Sequence, residues 1–153
     1  MSRGYFGIGI EYSKKEVNIG TLWRTAHAFG ASFIFTIGRR YTQQASDTCK
    51  TPKHVPLYHY ATIEEFKAAR PVDTMIVGIE LDDNTIVLPS FSHPERAIYV
   101  LGAEDYGLSK EMKQLCNMIV AIPEAKFCLN VATAGSIVIY DRIAKNGGKD
   151  INE

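Results

Sequence analysis

Short apolar runs alternate along this chain with stretches whose apolar positions recur at helical spacing. Residues 5–10, 32–37, 57–60, 74–79, 97–101 and 118–122 read as strands. Residues 16–29 read as a helix, with Val17, Leu22, Ala26 and Phe29 on its recurring face. Thr62-Ile63-Glu64-Glu65 has the form of a capping box that opens a helix to about Ala69. Ser109 caps another through about Cys116. The stretch CLNVATAGSIVIYD, residues 128–141, reads as a last helix that begins near Cys128 and runs to the stop signal Asn146-Gly147-Gly148. It has almost no polar face. Strands alternating with helices predict an α/β fold, a mostly parallel sheet flanked by helices on both faces. Residues 1–146 are expected to form one domain and 147–153 a short frayed tail.

Composition narrows the classes without naming one. A chain of 153 residues can bury a full core, and its net charge is zero. A strongly basic nucleic-acid binder is therefore not visible in the total, although a local patch remains open. The longest stretch without periodicity is 38–56. It holds Arg39, Arg40, Lys50 and Lys53 against Asp47, which leaves it at +3. Three cysteines at no metal spacing argue against a disulfide framework and for a reducing cytoplasm. The N-terminal stretch does not read as a signal peptide, no apolar run approaches the roughly 20 residues of a membrane span, and the four histidines form no metal pattern.

Two glycine patterns fail as nucleotide motifs. Gly7-Ile8-Gly9 follows a strand start, but Tyr12 stands where a dinucleotide fingerprint needs glycine. Gly102 and Gly107 match the outer glycines of a P-loop, but Leu108 replaces its lysine. Three other stretches carry more together than apart. They are Asn18-Ile-Gly-Thr-Leu-Trp-Arg24, then Tyr99-Val-Leu-Gly102-Ala-Glu104-Asp-Tyr-Gly107-Leu-Ser109, then Ile122-Pro123 followed by Cys128-Leu129-Asn130.

In this order they resemble the three motifs of the SpoU (TrmH-like) branch of the SPOUT RNA methyltransferases, over about Lys15 to Arg142. The resemblance implies an α/β sheet with a C-terminal deep trefoil knot. It implies a homodimer, with the last helix buried nearly all round through Leu129, Ala132, Ile137, Val138, Ile139, Tyr140 and Ile143. It implies transfer of a methyl group from S-adenosylmethionine to a ribose 2′-hydroxyl of RNA. Arg24 then stands at the hydroxyl, as general base by resemblance. A guanidinium holds its proton at neutral pH, so binding the adjacent phosphate and orienting the nucleophile is the easier role. Asn18 orients Arg24 or contacts RNA, unless it is a helix cap. Glu104 holds Arg24 and the substrate backbone, and Asn130 anchors cofactor or substrate, or caps the last helix. Ile79, Leu101, Gly102, Ile122, Cys128 and Leu129 line the cofactor cleft, with Glu80 beside Ile79.

Cys128 departs from the family's usual serine, and PEAKFCLN lacks its usual methionine and glycine. The resemblance is to the minimal TrmL-like members, which modify transfer RNA at the anticodon wobble nucleotide. Transfer RNA is the first expectation and ribosomal RNA the second. The basic loop, with Arg39, Arg40, Tyr41, Lys50 and Lys53, is the expected RNA surface. Two rivals stand beside this reading. One is a catalytically silent RNA- or cofactor-binding module, motivated by Cys128 and the altered loop. The other is an ordinary doubly wound nucleotide enzyme, for which the phosphate loop is missing.

Overall fold

A computed structural model describes residues 4–40, 54–123 and 125–146. The tail 147–153 and the middle of the basic loop, with Tyr41, Lys50 and Lys53, lie outside them. Seven strands among the described residues form one sheet: β1 (Tyr5–Glu11), β2 (Phe33–Ile37), β3 (Leu57–Tyr60), β4 (Met75–Ile79), β5 (Ile86–Val87), β6 (Arg96–Leu101) and β7 (Met118–Ala121). Their order is β3-β2-β1-β6-β4-β7-β5, and every pairing between them is parallel. The two-residue β5 was not foreseen. Ile86 and Val87 make, with Leu88, an apolar run of only three residues that ends at Pro89, too short to stand out as a strand.

Among the described residues four α-helices cover the sheet: α1 (Glu16–Ala28), α2 (Ile63–Ala69), α3 (Lys110–Leu115) and α4 (Val131–Lys145). Each face has its own core. On one, Phe6, Ile8 and Ile10 of β1 pack with Leu22 and Trp23 of α1 and Val138 and Ile139 of α4. On the other, Phe33, Phe35 and Ile37 pack with Phe66 of α2 and Met112 of α3. The alternation along β1 explains its glycines. A Cβ at Gly7 would stand 2.3 Å from the Phe33 ring and one at Gly9 2.4 Å from Phe35. The pattern that resembled a dinucleotide fingerprint makes room for two β2 aromatic rings.

The capping box opens α2 with one shift. Thr62 Oγ1 accepts from the Glu65 amide at 3.2 Å, while Glu65 Oε2 reaches back to the amide of Ala61 at 2.8 Å. The last helix needs a larger correction. It starts at Val131, not near Cys128, because Asn130 is its cap and accepts from the Thr133 amide at 3.1 Å. Its burial is also mixed. Ala132, Val138 and Ile139 are buried, but Leu129, Ile137 and Tyr140 are exposed and Ile143 is half-buried. Arg142, a charged residue, is fully buried in the same helix. Among the described residues no helix is long and apolar enough to cross a membrane.

Candidate active site

The order β2-β1-β6-β4 places a switch point between β1 and β6. The chain leaves β1 toward β2 on one side and returns through β6 on the other. In such sheets ligands bind beyond the carboxyl ends of the strands at this point. Here the chain after β1 meets the chain after β6. Tyr12 adopts a left-handed backbone, φ +54°, immediately after β1. Such a conformation is costly for a bulky residue and persists only where its surroundings hold it. Here Tyr12 N–H is held by the Ile37 carbonyl at 2.8 Å. The turn brings Ser13 and the Lys14 amide onto Glu104.

Glu104 lies in a tight loop. Ala103 and Gly107 pair across it in both directions, at 2.9 and 3.2 Å. Gly102 enters this loop with no room for a side chain. A Cβ would sit 2.1 Å from the Gly107 carbonyl carbon and 2.3 Å from the Leu108 nitrogen, both backbone atoms. Gly102→Ala is therefore expected to destabilise the fold by roughly 1–3 kcal/mol through overpacking, read as a fall in the thermal midpoint. Glu80, just past β4, accepts from the Leu108 amide at 2.7 Å and braces the loop from the other side.

One polar chain then joins three of the residues singled out from sequence. The Thr133 amide donates to Asn130 Oδ1, Asn130 Nδ2 donates to Asn18 Oδ1 at 2.9 Å, and Asn18 Nδ2 donates to Glu104 Oε1 at 2.7 Å. A donor-only amide at one end and an acceptor-only carboxylate at the other set the orientation of both asparagines. Ser13 Oγ and the Lys14 amide add bonds to Glu104, each at 3.0 Å. Burial would raise the Glu104 pKa. Bonds from the Lys14 amide, its own amide, Asn18 and Ser13 outweigh this and hold it at about 2.

Asn18 is buried and is not a cap, since Lys15 holds that position of α1. Asn130 is both a cap and a link in the chain. Arg24 stands apart. It is exposed and lies roughly 9 Å along α1 and about 120° around it from Asn18. The side-chain bonds of Asn18 run to Asn130 and Glu104, and those of Glu104 to Asn18, Ser13 and the Lys14 amide. Arg39 and Arg40 are exposed, and the Arg39 guanidinium donates to the Lys14 carbonyl, at the rim of this network. Ser13 was missed from sequence. A serine just past a strand's carboxyl end was the available signal.

Beside the network opens a cleft of about 490 Å³, lined by Ile79, Leu101, Gly102, Ile122, Cys128 and Leu129, with Glu80 and Glu104 at its edge. Cys128 is exposed on this wall with a free thiol. The family model described as the SpoU rRNA Methylase family matches residues 7–140. The chain belongs to the SpoU family. The SpoU match spans all three motif stretches and all seven strands but the first two residues of β1.

An uncharacterised tRNA/rRNA methyltransferase of Archaeoglobus fulgidus is 27% identical over 150 residues, covering 92% of this chain and 65% of its own. The AdoMet-bound rRNA methyltransferase of Sinorhizobium meliloti has TM-score 0.80 at 22% identity, covering 94% of this chain and 57% of that one. A structure from work on the 2-OH methylation of C/U34 on tRNA has TM-score 0.78 at 20% identity, covering 97% of this chain and all of that one. This SpoU chain thus spans less than two thirds of the first two relatives.

Proposed function

We propose that this protein is an S-adenosylmethionine-dependent methyltransferase acting on a ribose 2′-hydroxyl of RNA, with transfer RNA favoured over ribosomal RNA. The observation that carries the reading is the cleft opening beside the Asn18–Glu104–Asn130 chain at the sheet's switch point. Its volume and its lining, mostly apolar with polar groups at one edge, fit a ligand of the size of S-adenosylmethionine. Ile79, Leu101, Gly102, Ile122, Cys128 and Leu129 would hold it. Such a donor supplies a methyl carbon made electrophilic by its sulfonium.

The chain's own task is to orient a ribose hydroxyl toward that carbon and assist loss of its proton. A carboxylate held at about 2 is a weak base, so Glu104 is assigned to positioning. Arg24, exposed and cationic, binds the RNA phosphate and orients the hydroxyl. Arg39, Arg40, Tyr41, Lys50 and Lys53 extend the RNA surface. The match to the structure concerned with C/U34 of tRNA supports transfer RNA.

The reading extends to a trefoil knot and a cytoplasmic homodimer. α4 packs on α1 although it leaves β7, three strands from β1, as a returning C-terminal segment would. Its outward Ile137 and Tyr140 form an apolar groove with Phe29 and Leu88 that suits a second copy.

Calorimetry with S-adenosylmethionine, combined with labelled methyl transfer to total transfer RNA and ribosomal RNA, tests the proposal. Binding with label in a 2′-O-methyl nucleotide is expected. Arg24→Ala should lower transfer by roughly 100-fold with cofactor affinity unchanged. Binding without transfer to either RNA would instead support the silent module that Cys128, on the cleft wall, suggests.

A further inference from the structure

We infer that Tyr106 and Phe127 grip the base of the target nucleotide by stacking, so that the cleft takes a nucleotide whose base is unpaired and unstacked. This rests on the reading of the cleft as the methyl-transfer site. The four most exposed large apolar side chains among the described residues are Val72, Leu81, Tyr106 and Phe127. Three of them line this one cleft, and the two aromatic ones are each 83% exposed.

Their placement relative to the polar chain is specific. Tyr106 follows Glu104 by two residues, inside the loop closed by the Ala103–Gly107 pairing. Glu104 bonds to Asn18 and Ser13, while the Tyr106 ring stands in solvent. Phe127 precedes Asn130 by three residues, on the segment leading into α4. In a nucleotide the base is bonded directly to the ribose. A platform for it must therefore lie close to the groups that hold the sugar, and both rings stand on the wall of the cleft that Glu104 also lines, Tyr106 two residues from Glu104 and Phe127 three from Asn130.

Charge at this rim is mixed. Lys14 Nζ lies 5.4 Å over the Tyr106 ring, but it is paired with Asp105. Glu104 adds a further anion beside them. The carboxylates of Asp105 and Glu104 offset the Lys14 charge at Tyr106, and Lys126 lines the cleft next to Phe127, so what the two rings themselves add is stacking area for a flat base. A base inside a duplex has both faces covered and cannot reach such a platform without leaving the helix. Stacking accepts every base, so these rings select an unpaired nucleotide and leave its identity to other contacts.

The test uses fluorescein-labelled decaribonucleotides of mixed sequence, single-stranded or fully paired, with the intact protein saturated in S-adenosylhomocysteine, and steady-state transfer in parallel. The wild type should bind the single strand more tightly than the duplex. Tyr106→Leu and Phe127→Leu should each weaken single-strand binding and raise KM for RNA by about fivefold or more, while Tyr106→Trp stays within about twofold of wild type. Affinity for S-adenosylmethionine and sedimentation mass should not move. Unchanged RNA binding in both leucine variants would overturn the inference while leaving methyl transfer intact. A matching loss of cofactor affinity would make the rings cofactor wall, and a change of mass would make them subunit contact. Either overturns it. A wild type that binds cofactor but neither RNA nor a methyl acceptor would sink the functional reading and this inference together.

Discussion

Glu104→Gln is expected to lower methyl transfer by roughly 100-fold, because small displacements at a positioned site carry costs of that order. The carboxylate accepts from Ser13 and Asn18 on one oxygen and from the Lys14 amide on the other. Glutamine puts an NH2 group in one of those places and so sets donor against donor. Either the β1 turn or the Asn18–Asn130 pair must move. Asn130→Asp separates the two duties of Asn130. It keeps an acceptor for the Thr133 amide, and so the cap, but loses the donor to Asn18. Its thermal midpoint should therefore stay near wild type while transfer falls as in Glu104→Gln. Equal activity of all three proteins would remove the polar chain from the mechanism. The pH dependence follows from the depressed Glu104 pKa. Its stabilising contribution is present above the ordinary carboxylate range and is lost as pH falls from about 4.5 toward about 2. Activity at mildly acidic pH should not be limited by this group.

Arg142→Met is expected to destabilise the protein by about 3–5 kcal/mol and to lower its midpoint by roughly 10 °C. Arg142 is fully buried and far in sequence from the groups it serves. Its Nη1 donates to the Pro94 carbonyl at 2.7 Å and the Tyr99 hydroxyl at 3.1 Å, and its Nη2 donates to the Glu95 carbonyl at 2.9 Å. Its guanidinium carbon lies 5.0 Å from the Phe6 ring centroid. The chain continues from the Tyr99 hydroxyl to His93 Nδ1 at 2.6 Å, and from His93 Nε2 to Asp141 at 2.7 Å. Burial pushes the Tyr99 phenol up to about 12, against the pull of Arg142, so it stays a donor to His93. Burial also lowers the His93 pKa despite Asp141, which suits a neutral ring donating through Nε2. Methionine removes the donor from the Pro94 carbonyl and the Tyr99 hydroxyl, takes one of two donors from the Glu95 carbonyl, which keeps the Tyr5 amide, and leaves a void between α4 and the sheet. Urea unfolding of the variant measures the cost, and a loss below about 1 kcal/mol would show that water replaces the guanidinium freely. Arg142→Lys should fall between the two, since one ammonium cannot span both carbonyls as the planar fork does.

The alternation of six apolar strands with helices was enough to predict a parallel sheet covered on both faces. Local chemistry was enough to predict Thr62 and Ser109 as caps. Strand and cap signals are short-range, so they survive in one dimension. Asn18, Glu104 and Asn130 were also legible, each as part of a motif beside a strand or helix end. What they do to one another was not. Asn18 was expected to orient Arg24, six residues away, to contact RNA, or to cap its helix; its bonds to Glu104 and Asn130, 86 and 112 residues away, were not foreseen. The pairing of β1 with β6 brings Asn18 to Glu104, and the packing of α4 on α1 brings Asn130 to Asn18. The glycines of β1 looked like ligand chemistry until the register set Phe33 and Phe35 against them. The last helix looked apolar all round, yet tertiary packing buried its Arg142 and left Ile137 and Tyr140 in the open. Most strands and helices, β5 apart, and the side chains able to do chemistry were legible in the chain, because both depend on near neighbours. Which of those side chains meet was not, because strand order and register are set by packing across the whole sheet.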